Sequence, residues 1–228
     1  MSCSIGVLGG QAVSGFPGSP RLVKGGIVLL DTGSGVVQKV IALQYNPDSL
    51  TRSFQVQAVG ENADRSEALR LKAPPVESYK LEAEIDLTDQ MEFPDQNSSV
   101  PLGLHPQLAA LETLAYPSSA QLEANNSRAS SGMLEIIPME APLTLFVWSK
   151  NRIVPVRLTE FSVTEEAFDP GLNPIRAKVS LGMRVLSVND VGFAHRGGSL
   201  FMNYLRQKEG FARLSAGQLS QLGLTGVP

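Results

Sequence analysis

The stretch from Leu143 to Val188, LTLFVWSKNRIVPVRLTEFSVTEEAFDPGLNPIRAKVSLGMRVLSV, leaves its backbone few choices. In its last third, Ala177, Val179, Leu181, Met183 and Val185 alternate with Arg176, Lys178, Ser180, Gly182 and Arg184. A period of two puts the first set on a dry strand face and the second on a wet, basic one. Leu143 to Ser149 is β-branched and aromatic enough to prefer a pleated, half-buried surface. Ser149-Lys150-Asn151-Arg152 has hairpin-turn composition, and Ile153 to Phe168 alternates Val154, Val156 and Leu158 with Arg157 and Thr159. Asp169-Pro170-Gly171-Leu172-Asn173-Pro174 then forces a reversal: two prolines fix φ, and Gly171 is expected to supply the conformation other residues avoid. The segment reads as an antiparallel meander of three strands.

Earlier in the chain, Lys24–Leu30 and Val36–Tyr45 read as two strands around Asp31-Thr32-Gly33-Ser34-Gly35. Asn46-Pro47 stops the second and starts a turn. Tyr79 to Leu87 sets Leu81, Ala83, Ile85 and Leu87 against Lys80, Glu82, Glu84 and Asp86. Acids at that spacing are the solvated face of a strand, able to pair with Arg176, Lys178 and Arg184 alongside.

These phrases resemble one family. The Trp148-Ser149 turn, then Phe161-Ser162-Val163, then Phe168-Asp169-Pro170 with Pro174, Arg176, Ala177, Val179 and Leu181, look like the closing half of the tube and baseplate adaptor proteins of contractile injection systems. Tyr45-Asn46-Pro47 with Leu50 matches the phrase that follows the family's opening strand pair, Tyr45 standing where Phe is usual. The likeness covers most of Leu22 to Val188.

The resemblance implies a mainly β chain: an antiparallel barrel or sandwich of the phage tail-tube type, with one short packed helix. It implies a structural adaptor that joins a spike or hub protein to the inner tube. Self-assembly into a hexameric ring and contact with baseplate wedge proteins belong to the same expectation. An inner-tube protomer or a second adaptor layer is the alternative. Assembly in the bacterial cytoplasm, then incorporation into the contractile particle, follows from it. The family's C-terminal LysM module has no counterpart before Pro228, so a version without one is expected. Arg176, Lys178, Arg184, Glu82 and Glu84 then belong to a lumen or subunit-facing surface, with the outer solvated face as the alternative; Trp148 and Phe168, as large aromatic residues, are expected in the core.

The remaining segments are read from their own chemistry. Residues 1–20 are rich in Gly, Ser and Pro and read as an extended arm, residues 21–190 as the β domain, and 191–228 as a helical tail. Thr51 to Ser78 is polar and closes on Pro74-Pro75, which reads as a surface loop; the family resemblance implies a long loop or β-hairpin there that reaches toward an adjoining ring. His105-Pro106 opens a helix through Ala115 with Leu104, Leu108, Leu111 and Leu114 as its stripe. Ser118 to Gly132 reads as a loop of low order. Gly197-Gly198-Ser199 reads as a break and cap before a helix through Glu209; a second short helix after Ser215 carries Leu219 and Leu222 inward and stops at Gly223.

Composition and motif searches narrow the chemistry. Hydrophobic residues are 43% and charged residues 18%, so the chain can bury a core. A net charge of −3 gives no global field for nucleic acid, and no stretch approaches the length of apolar residues needed to span a bilayer. The first residues lack a basic stretch before the apolar part, against a secretory signal, and the single Cys3 closes no internal disulfide. No phosphate-binding glycine loop, zinc spacing or catalytic cluster is present, so no catalytic residue, metal or cofactor is expected. Two histidines, His105 and His195, fall beside helix starts and read as caps or surface residues. The exception to weigh is Asp31-Thr32-Gly33, which resembles the active-site loop of aspartic proteases and would need a homodimer to pair two carboxyls. The same residues are an ordinary hairpin turn.

Overall fold

A computed structural model of the chain describes residues 22–58, 70–92, 100–130, 141–215 and 217–227. Seven strands make one antiparallel sheet: β1 (Gly26–Leu30), β2 (Val37–Ala42), β3 (Leu50–Ala58), β4 (Leu71–Asp86), β5 (Leu143–Ser149), β6 (Arg152–Phe168) and β7 (Pro174–Val185). Their spatial order is β2-β1-β5-β6-β7-β4-β3. The meander of the closing half forms its centre, and the fold is mainly β as expected.

The sheet is rolled. Tyr79 on β4 and Phe146 on β5 are three strands apart in that order, which in a flat sheet means about 14 Å at the usual strand spacing. Their ring centroids are 5.3 Å apart. The two margins therefore approach one another, and a side chain closes part of the gap. Gln44, just beyond β2, donates to the Asp86 carbonyl at 2.6 Å and accepts the Asp86 N–H at 3.0 Å. One amide thus does at this seam what a neighbouring strand does elsewhere.

The alternating residues fill the interior. Leu81, Ala83, Ile85 and Leu87 are buried together with Ala177, Val179, Leu181, Met183 and Val185, with Phe146, Val154 and Val156 opposite. Helix α2 (His105–Glu112) plugs one opening with Leu108 and Leu111, while Leu104 at its cap is wholly buried. Pro106 sits in its first turn, where the missing N–H costs nothing. Helix α5 (Arg196–Leu214) adds Phe201 and Tyr204 to the same core. Two short helices, α1 (Thr88–Met91) and α4 (Val188–Val191), follow β4 and β7.

Five expectations are corrected. Ser119–Ser130 is a helix, α3, not a loop. Its start is a reciprocal cap: Ser118 Oγ accepts the Gln121 N–H, and Gln121 Oε1 accepts the Ser118 N–H and hydroxyl. The described parts of Thr51–Ser78 are strand, so the plain-loop reading fails there. Pro74 and Pro75 lie inside β4, where the register with β3 slips around Gln57, a bulge that accommodates two residues without an N–H.

Gly197 and Gly198 are buried inside the first turn of α5, capped by His195, whose Nδ1 accepts the Gly197 N–H at 3.0 Å. They do not break the helix. A Cβ on Gly198 would collide with the Gly192 carbonyl, so glycine lets the helix approach that backbone. In the β6–β7 loop the left-handed residue is Leu172 (φ 65°), not Gly171. Asp169 dictates this: its backbone and both carboxylate oxygens clamp Asn173 at 2.8 to 3.0 Å, and the chain between must double back. Leu219 and Leu222 form a short 3-10 turn ending at left-handed Gly223, and both are exposed rather than inward.

Candidate assembly interface

Among the described residues the sheet ends in two strands with one strand neighbour each, β2 and β3. An unpaired margin offers its N–H and C=O groups to another chain, and proteins usually blunt it with exposed lysine, proline or a bulge. Both margins here lose that protection near their middles. Lys39, the lysine of β2, turns its ammonium to α2, donating to Ala110 O at 3.1 Å and Thr113 Oγ1 at 3.0 Å. What β2 leaves exposed is Val37 and Val40, with Val36 just before it. Arg52 on β3 leans over the Phe54 ring at 5.0 Å and toward buried Glu77 at 3.9 Å. Its margin then shows Phe54 and Val56.

The hairpin of β3 and β4 also outgrows the barrel. β4 pairs with β7 only from Ser78 onward, so Leu71–Glu77 has β3 alone as a strand neighbour. The described part of this stretch is a β-hairpin, one of the two forms the resemblance allowed; residues 59–69 lie outside the described residues.

The wet face pairs acids with bases, though not as a single ladder. Arg176 meets Asp86 at 2.8 Å and Glu84 at 3.6 Å. Lys178 pairs instead with Glu166 on β6 at 2.9 Å, and Lys80 with Glu160 at 3.1 Å. Arg184 leaves the sheet altogether for Asp190 of α4 at 2.6 Å. The Glu84, Glu160 and Glu166 pairs are exposed and add little to stability, whereas Asp86 and Asp190 are largely buried. Gly182 faces the β6 bulge, where a Cβ would meet Glu160 Cβ at 2.8 Å.

The family phrases do identifiable local work. Asn46 Oδ1 accepts the Gly25 N–H at 2.8 Å and its Nδ2 donates to Val23 O at 2.9 Å, tying the chain after β2 to the entry of β1. Tyr45 is exposed and touches Asp89 through its hydroxyl at 3.4 Å; Pro47 follows at the turn. Trp148 is partly buried, stacked on Phe146 at 5.8 Å, and a Cβ on Gly25 would lie 2.7 Å from its ring. Pro174 is buried and its carbonyl accepts the Leu104 N–H, anchoring α2. Pro170 lies in the loop that Asp169 clamps. Phe168, expected in the core, is 50% exposed, because β6 runs beyond the end of the packed interior.

Asp31 is a turn residue. Its Oδ1 accepts the Ser34 N–H and hydroxyl, both at 2.7 Å, and Oδ2 accepts from Gln38 at 3.3 Å. These bonds, the Ser34 amide first, hold its carboxyl below the usual value. His105 opens α2 and His195 caps α5, as their positions suggested.

One feature escaped the sequence reading. Glu77 is 3% exposed and is the charged residue that the described core takes in. It accepts from the Tyr204 hydroxyl and from Lys208, both at 2.7 Å, and Tyr204 lies 2.7 Å from the Tyr79 hydroxyl. Burial, and then the hydrogen bonds to Tyr79 and Glu77, push the Tyr204 hydroxyl far above its ordinary value, so it stays protonated and donates. The network fastens α5 to the base of the protruding hairpin. Its sequence signal is weak: Glu77 stands in the inward phase of β4, two residues before Tyr79, where the positions that follow are apolar.

No family model matches the chain, and no curated protein matches it. Among solved structures it is similar to a chain of the tail of an empty gene transfer agent particle refined with C6 symmetry: 15% identity, TM-score 0.27, covering 70% of this chain and 89% of that one. A chain in the virion of a native gene transfer agent particle is similar at 14% identity and TM-score 0.25, covering 71% and 90%. At these scores the likeness carries no functional weight. Among the described residues, no helix is long and apolar enough to cross a membrane, and no group of His, Cys, Asp or Glu could hold a metal.

Proposed function

We propose that the chain is a structural subunit that builds a ring by pairing sheet margins between copies. The observation that carries this is the state of β2 and β3: both lack a second neighbour, both expose apolar side chains, and both turn their central cation away. They are different surfaces on one protomer, so the contact is head-to-tail and closes when the rotation per copy divides a full turn. Six copies is the number that the motif resemblance implies. The same resemblance, in Tyr45-Asn46-Pro47 and Trp148 through Leu181, makes the ring an adaptor between spike or hub and inner tube in a phage-tail-like contractile particle. Arg176, Lys178, Glu82 and Glu84 then face the lumen or the next ring layer, and the β3–β4 hairpin reaches across layers.

Imaging the purified protein by negative stain, with its mass measured by light scattering, tests the reading. Rings are expected for the wild type, alone or with the spike and tube proteins. Val40→Lys on β2, which restores a charge to that margin, should leave a folded monomer. A wild type that remains monomeric at high concentration and with those partners overturns the proposal. An adaptor stops at one ring, whereas an inner-tube protomer would stack into long tubes, so the same images separate the two.

A further inference from the structure

Between the β5–β6 turn and the C-terminal half of α5 lies a cleft of about 80 Å³, lined by Arg52, Asn151, Arg152, Tyr204, Lys208 and Phe211, with Gln207 beside them. Three cations meet there, and the carboxylate that answers them is Glu77. That single carboxylate is already shared by Tyr204, Lys208 and, at 3.9 Å, Arg52, and is closed off from water. Arg152 makes no ion pair among the described residues. Two positive charges are therefore left without an answering charge at the mouth of the cleft. Burial first, and then the like charges of Arg52 and Arg152, hold Lys208 below its ordinary value despite Glu77. The rim is aromatic: Phe211 is half exposed, and Phe54 lies 5.0 Å beneath both Arg52 and Lys208.

We infer that this cleft binds a carboxylate side chain from an acidic, aromatic-bearing segment of a partner protein. The charge surplus calls for an anion, and the volume admits one carboxylate with little to spare. Arginine beside exposed aromatic rings is the composition of a protein-binding hot spot. A phosphodiester strand would need cations following its backbone. Here they converge on a point. The cleft lies within one protomer, although Arg52 and Phe54 stand on the β3 margin that the ring would pair, so the monomeric Val40→Lys protein carries the test apart from the ring reading.

The test uses the full-length chain and a fluorescein-labelled Gly-Glu-Phe-Glu-Gly peptide, followed by fluorescence anisotropy. Saturable binding is expected. It should weaken at least about tenfold in Arg152→Gln, in a peptide with Gln for Glu, and between about 50 and 500 mM salt. Arg152→Gln removes no ion pair or side-chain hydrogen bond among the described residues, so its thermal melt should stay close to the wild type. Absence of binding, equal binding by Arg152→Gln, or equal binding of the Gln peptide overturns the inference. A labelled oligo-dT of matching charge that binds as tightly also overturns it, in favour of phosphate recognition. The monomeric Val40→Lys protein, whose β3 margin is uncovered, should bind the peptide at least as tightly as the wild type, which separates failure here from failure of the ring.

Discussion

Gln44 and Asp86 exchange two hydrogen bonds across the seam of the rolled sheet, the side chain of one with the backbone of the other. The strands on either side cannot supply those bonds. β3 leaves β4 at Leu81, and β2 has ended at Ala42. Replacing Gln44 by Ala leaves a partly buried N–H and C=O without partners. We expect a loss of about 1–3 kcal/mol in urea unfolding. Gln44→Glu should cost at least as much, since a carboxylate cannot donate to the Asp86 carbonyl. An unchanged unfolding midpoint in both variants would show that the seam is held elsewhere.

The Glu77 network should behave as a fastener for α5. Glu77→Ala strands the Lys208 ammonium and the Tyr204 hydroxyl in a largely closed space, at about 3 kcal/mol. Hydrogen exchange should rise first in the C-terminal half of α5 and in the base of the β3–β4 hairpin, with the barrel strands unaffected. Uniform loss of protection would mean instead that the network supports the whole core.

Leu172 holds a left-handed conformation with its side chain 78% exposed, so it bears strain and gains little from burial. Asn tolerates that conformation without loosening the unfolded chain as Gly would. Leu172→Asn is expected to raise stability by about 0.5–1 kcal/mol. A destabilised Leu172→Asn protein in thermal melts would contradict this.

Acid should unfold the protein through two carboxyls in particular. Burial raises Asp86, but the Thr88 hydroxyl and amide and the Arg176 guanidinium outweigh it and leave its pKa lowered. At Asp190 burial is likewise outweighed, by the Ser187 amide and hydroxyl and by Arg184. A carboxyl with a depressed folded pKa contributes fully above its unfolded value of 3.8 and loses the contribution as pH falls through the folded value. The melting temperature should therefore hold from neutral pH down to about 5 and drop below about 4. Asp190→Asn should melt lower at neutral pH and show a shallower acid drop. A parallel pH profile would assign the drop to other groups.

What the sequence made legible followed from its periods. Alternation along Tyr79–Leu87 and Arg176–Val185 put the right residues inside, because a strand's phase is fixed once one face is buried. Pro106 and the leucine stripe likewise located α2. What stayed hidden depends on contacts distant in the chain. Phe168 looked like a core residue because aromatic residues usually are, yet whether β6 outruns the interior is set by the length of its neighbours. Helix α3 has almost no apolar stripe, and its one local signal, Ser118 with Gln121, was overlooked amid Asn and Ser. Gly171 was a reasonable choice for the left-handed position until the Asp169–Asn173 clamp moved it one residue on. Glu77 could not be identified from β4 alone, since its partners come from the far end of the chain.

On the proposed ring reading, a protomer with adhesive borders at both ends of its sheet has no safe form in which to wait. Supplied faster than it closes into rings, it would satisfy those borders as fibres or precipitate. Its dosage would then have to match that of whatever the ring joins, for a stockpile of single copies would not keep.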